Sequence, residues 1–189
     1  AMGGYLAASY LLKLGHKRIA GFFKADDMQG IERHKGYVKA LQEAGLPYDP
    51  ENVVWYHTED RKMKPAIMLR LMEKGGRLPD GIVCYNDQIA AMLMEELGRL
   101  GYSVPEDVSV TGVDDSLYAQ RGDGITTVAH PQEKLGEMAA ELLLEKINGI
   151  PKEKSRIPEL IQPKLIVRGS CRDRSVPEKR TAAAAASGD

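Results

Sequence analysis

The feature that most constrains this chain is an alternation of short apolar runs with longer stretches of helical spacing. Ile19 to Phe23, Val53 to Tyr56, Ile82 to Cys84 and Val108 to Val113 are each rich in strand-forming residues, with no charged residue among them. Runs of that kind are buried on both faces, which is the habit of parallel strands. Between them, Ile67, Met68, Leu71 and Met72, and then Ile89, Met92, Leu93, Leu97 and Leu100, recur with a helical period, and a further helix is expected from about Ile31 to Ala44. A strand-helix-strand order closes through right-handed crossovers, with helices on both faces of the sheet. The expected fold class is therefore α/β, a parallel sheet flanked by helices.

The flanks extend that pattern. Leu6, Ala7, Tyr10, Leu11 and Leu14 predict a helix from Gly4 to Leu14, stopped by Gly15. After the fourth strand, Ile125 to Ala129 predicts another short strand, Gln132 to Ile147 a helix ending at Gly149, and Lys164 to Val167 an edge or return strand.

In open sheets of this class, ligands bind outside the carboxyl ends of the strands. The residues delivered there are polar. The run from Pro79 to Asp87 ends in Asn86 and Asp87, the fourth strand ends in Asp114, Asp115 and Ser116, and His57 to Glu59 follow the second. Asn86 and Asp87 read as helix cap, ligand contact or both, with Asp87 expected as the cap. Arg33 falls early in its helix, where the dipole prefers an anion, so it either pairs with Glu32 or Asp27 on the surface or reaches toward a ligand as a forked donor. His16, directly after a helix-ending glycine, reads as a hydrogen-bonded linchpin of the turn, without the neighbours a triad needs. Asp87 with Asp114 suggests a metal site or a glycosidase dyad, but each has a helix or turn to cap and no further ligands stand at metal spacing.

Composition removes other classes. Lys and Arg total 26 against 27 Asp and Glu, a net charge of -1, so no basic stripe marks a nucleic-acid surface. Two cysteines make no disulfide framework, and a reducing cytoplasm is the expected setting. Apolar runs long enough to cross a bilayer, Gly-x-Gly-x-x-Gly and the Walker pattern are all absent from the sequence, so neither a membrane nor a nucleotide cofactor is expected. Ala1 and Met2 read as an added start, and Ala182 to Asp189 as a low-complexity tail.

An ordered set of short motifs points further. Leu14-Gly15-His16-Lys17-Arg18-Ile19-Ala20, then Arg33-x-x-Gly36-Tyr37, then Asn86-Asp87 with Ala90, then Val104-Pro105-x-Asp107-Val108-Ser109-Val110-x-Gly112-Val113-Asp114-Asp115, then Thr126-Thr127-Val128 resemble the effector-binding domain of the lactose/galactose-repressor family. The loop Phe23 to Gly30, the run Cys84 to Asp87, Pro158 to Ile161 and Ile166-Val167-Arg168 resemble its L-arabinose-responsive branch, which adds a winged helix-turn-helix domain.

The resemblance implies a periplasmic-binding-protein-like (type I) sugar-binding fold, of which residues 3–172 are mostly the second lobe. Residues 131–149 resemble the helix that crosses to the first lobe, and 173–189 are expected as a disordered tail. The DNA-binding domain and most of the first lobe are expected outside this sequence. The implied activity is ligand-responsive repression without catalysis or cofactor, by a homodimer holding operator DNA. Matched by position, Arg33, Asn86, Asp114 and His130 are the implied sugar contacts, with Gln29 a weaker one, and no metal ligand. A periplasmic sugar-binding protein of a transport system shares fold and chemistry, and stays open as the alternative.

Overall fold

The computed structural model describes residues 1–149 and 161–175. Six strands form one sheet in the order β2-β1-β3-β4-β5-β6, with β1 Ile19–Lys24, β2 Val53–Tyr56, β3 Gly81–Cys84, β4 Ser109–Val113, β5 Thr126–Ala129 and β6 Lys164–Ile166. Neighbours from β2 to β5 are parallel, in registers such as Gly21 with Val53 and Gly81 with Ser109. Only β6 reverses, setting Ile166 opposite Thr127 and Lys164 opposite Ala129. The expected return strand is thus an antiparallel edge on a parallel sheet.

The helices are α1 Met2–Lys13, α2 Met28–Glu43, α3 Lys64–Lys74, α4 Asp87–Arg99 and α5 Gln132–Ile147. Residue alternation along the strands decides which helices each face receives. Ile19 and Phe23 of β1, with Val83, Val113 and Val128, pack against Ala7, Ala8 and Leu11 of α1 and Tyr37, Ala40 and Leu41 of α2. Ala20 and Phe22, with Val54, Tyr56, Ile82 and Cys84, meet Leu69 and Met72 of α3 and Ile89, Leu93 and Leu97 of α4. Each buried phenylalanine of β1 contributes about 2 kcal/mol of transfer free energy. Cys84 is one of these core hydrophobes.

The helix starts correct the sequence reading. α2 begins at Met28 rather than Ile31, because the side chain of Asp27 accepts the N–H of Gly30 at 2.7 Å and nucleates the helix three residues early. In α4 the cap is Asn86, which accepts the N–H of Ile89 at 3.1 Å. Asp87 is therefore not the cap. It stands at the first helical position with its side chain turned fully inward.

His16 behaves as the linchpin. It is buried, with Nε2 3.2 Å from the carbonyl of Arg172 and Nδ1 3.4 Å from Asp80. Burial pushes the Asp80 carboxyl up, but His16 and the N–H groups of Arg18 and Lys17 outweigh it and leave it below the ordinary value. Past β6, Arg174 still donates to the carbonyls of Glu106 and Asp107, and its N–H bonds Leu14. The remainder of the expected tail, from 176 on, and residues 158–160 of the Pro158 to Ile161 run lie outside the described residues.

Candidate functional site

Strand ends and helix starts meet on one side of the sheet, and that is where the polar residues gather. Strand β1 lies between β2 and β3, and α2 leaves β1 on one face while α4 leaves β3 on the other. A crevice opens at such a reversal. Here an open cleft of about 670 Å³ is lined by Gln29 and Arg33 of α2, Asp114 after β4, His130 after β5 and the start of α1, with Met28, Glu32, Leu135, Ile161 and Pro163 completing the wall. Four of the five residues expected at the site thus face one space. Asn86 is not part of the lining: it is half-buried, with its side-chain oxygen committed to the α4 cap.

Arg33 is the centre of the arrangement. It is only 6 % exposed. Its guanidinium donates to Asp114 at 2.8 Å, to the side chain of Gln29 at 3.1 Å and to the main-chain carbonyl of Tyr85, and lies 4.6 Å above the Tyr85 ring. Neither surface partner expected for it is used. Glu32 pairs with Lys35 instead, and Asp27 accepts from Lys24 at 3.1 Å and from the Tyr85 hydroxyl at 2.7 Å. Burial raises the Asp27 carboxyl, and the bonds from Tyr85, Gly30 and Lys24 more than offset this, so it stays below its ordinary value.

Asp114 arrives by an unusual backbone. Its φ is 105° and that of Asp115 is 51°, both in the region that L-residues rarely enter. The turn is held from behind. Arg168, just past β6, donates to Asp115 at 2.7 Å and to the carbonyl of Ile125 at 3.1 Å. Asp87 secures the same region from below, accepting the N–H of Ser116 at 2.7 Å and the hydroxyl of Thr127. Burial pushes the Asp87 carboxyl above its ordinary value despite those bonds. Asp87 is fully buried and is not among the residues that line the cleft. Among the described residues no cluster of three or more His, Cys, Asp or Glu is arranged to hold a metal ion.

Forked, amide, carboxylate and imidazole groups on one rim suit a ligand that is itself a ring of donors and acceptors. Residues 8–171 match the model of the periplasmic binding protein-like domain. The chain belongs to that family. Within it, the chain is 39% identical over 175 residues to an arabinose metabolism transcriptional repressor of Geobacillus stearothermophilus, covering 90% of this chain and 48% of that protein. Two solved structures are similar as well. One is the transcriptional regulator CelR in complex with cellobiose, 32% identical with a TM-score of 0.76 over 89% of this chain and 51% of that one. The other is a LacI family regulator from Enterococcus faecium with bound ribose, 28% identical with a TM-score of 0.74 over 90% and 62%. The chain thus spans about half the length of the curated relative it matches.

Tyr85, Asp27 and the Asp115–Arg168 pair escaped the sequence reading as parts of the site. A tyrosine at a strand end, where a small residue would suffice, was the one signal for the first. The others act across 58 and 53 positions of chain, a separation no local pattern reports.

Proposed function

We propose that this chain is the sugar-sensing part of a transcriptional repressor of sugar utilisation, with L-arabinose as the effector to test first. Residues 3–172 are read as mostly the second lobe, α5 as the helix crossing to the first, and operator DNA as bound by a domain outside this sequence. The observation that carries the reading is the convergence of Gln29 and Arg33 of α2, Asp114 after β4 and His130 after β5, from three separate parts of the chain, on one cleft at the strand ends. The relatives support it: one is named for arabinose repression, and two regulators hold cellobiose and ribose. Asn86, outside the cleft lining, is retained as a contact to test.

Sugar held between two lobes favours the closed arrangement, in proportion to its greater affinity for that state. Closure then alters the spacing of two DNA-binding domains in a homodimer. We assign the dimer contact to α3 and α4, on the strength of Ile67 and Leu71 of α3 and of Met63 just before it, which leave about half or more of their surface exposed. The reading involves no enzymatic step and no cofactor. Among the described residues no helix is long and apolar enough to cross a membrane.

The test is operator release by the full-length protein across a panel of pentoses and hexoses. Release by L-arabinose is expected. Release by a different sugar alone reassigns the effector, and a flat response to the whole panel ends the sensor reading. A complete gene that encodes a secreted protein with no DNA-binding segment would favour the transport alternative.

A further inference from the structure

We infer that Tyr85 is a positioning residue for Arg33: it fixes the plane and reach of the guanidinium without touching the ligand. The inference rests on the reading of the cleft as a sugar site. Tyr85 stands at the end of β3 and is not part of the cleft lining. It nevertheless holds Arg33 twice, through its main-chain carbonyl, which accepts from Nη1, and through its ring, whose centroid lies 4.6 Å from the guanidinium carbon. A flat cation lying over an aromatic face is attracted by the ring's electron density. It cannot rotate out of plane without losing that contact.

The phenol makes the hold mutual. Its hydroxyl donates at 2.7 Å to Asp27, whose other oxygen accepts the Gly30 N–H and caps α2, the helix that carries Gln29 and Arg33. Lys24 lies 3.1 Å from the same Asp27 oxygen that the phenol uses. A closed ring of contacts results: from Tyr85 to Asp27, along the first turns of α2 to Arg33, and back to Tyr85. Arginine has a long stem with many rotamers, and freezing it before the ligand arrives removes that ordering from the binding step. Asp114 and Gln29 grip Nη2 alone. The ring and the carbonyl set the orientation of the rest.

The experiment uses the full-length protein with 15N-labelled arginine. The Arg33 Nε–H resonance, identified by its loss in Arg33→Lys, is recorded without sugar in wild type, Tyr85→Phe and Tyr85→Leu, and the L-arabinose concentration for half-release of operator is measured for each. Tyr85→Leu is expected to shift and broaden the resonance and to raise that concentration about ten-fold. Tyr85→Phe, which keeps ring and carbonyl, is expected to retain the resonance and stay within about three-fold. An unchanged resonance in Tyr85→Leu overturns the inference, as does a half-release concentration within two-fold of wild type. An altered resonance in a protein that answers no sugar leaves the positioning role standing and removes the sugar reading instead.

Discussion

Arg33 links the start of one helix, the end of one strand and the turn after another, so its removal is felt at all three. Arg33→Met leaves Asp114 and the Tyr85 carbonyl without their donor, an expected loss of about 2 kcal/mol in thermal unfolding. On the proposed sensor reading, the same change in the full-length protein should raise the sugar needed for operator release at least about 100-fold, since a charged, forked donor is lost from the cleft. The sequence singled it out as a cation near a helix start, but with α2 beginning at Met28 it falls in the second turn, beyond the reach of that dipole argument. Its partners were not legible. Glu32 and Asp27 are neighbours in sequence, whereas Asp114 and Tyr85 become neighbours only once β4 and β3 are laid side by side.

A second effect at this scale concerns acid. The N–H and hydroxyl of Thr58 hold the exposed Asp26 carboxyl down to about 2, against an ordinary 3.8. A lowered carboxyl stabilises the fold only while ionised, so its contribution is complete above the ordinary value and is lost as pH falls through the lowered one. The stability difference between wild type and Asp26→Asn should be constant at neutral pH. Urea unfolding at a series of pH values should show it shrinking from 3.8 toward about 2.

At the scale of elements, α1 and α2 touch through bare backbone. A Cβ on Gly4 would fall 1.9 Å from the carbonyl oxygen of Arg33, and one on Gly36 1.9 Å from that of Ala1. Gly4→Ala must therefore push the helices apart, at a loss of about 1–3 kcal/mol, and on the proposed sensor reading should weaken sugar binding because α2 carries the arginine. Gly98, within α4, is the control: an added Cβ there meets nothing within 4 Å. Gly98→Ala is expected to raise stability by up to about 1 kcal/mol, with sugar response unchanged. Chemical denaturation of the pair checks both. The strand runs, the helix periods and the stops at Gly15 and Gly149 were all readable, because each rests on local spacing. The start of α2 and the cap of α4 were misread by a few residues, since Asp27, Asn86 and Asp87 all suit a cap. Which one serves depends on where the sheet sends the chain.

For the molecule as a whole, the apolar residues left outside the two cores are informative. α5 has no buried residue, and Leu143, Leu144 and Ile147 stand exposed. On the proposed assignment of α3 and α4 to a dimer contact, Leu71→Glu in the full-length protein should yield a monomer by sedimentation, with operator affinity falling sharply and the fold intact. The parallel sheet was predictable from the strand-helix order. The reversal of β6 was not, because a short apolar run carries no record of its direction.

That reversal has a practical consequence. The polypeptide departs from the sheet at Ala129 and rejoins it at Lys164, and these two residues lie directly across from each other in the ladder. Residues 130–163 are accordingly a detour with adjoining anchor points. A tight two-residue hairpin spliced between the anchors should leave a foldable six-stranded scaffold, stripped of one histidine of its rim and suited to grafting other detours in its place.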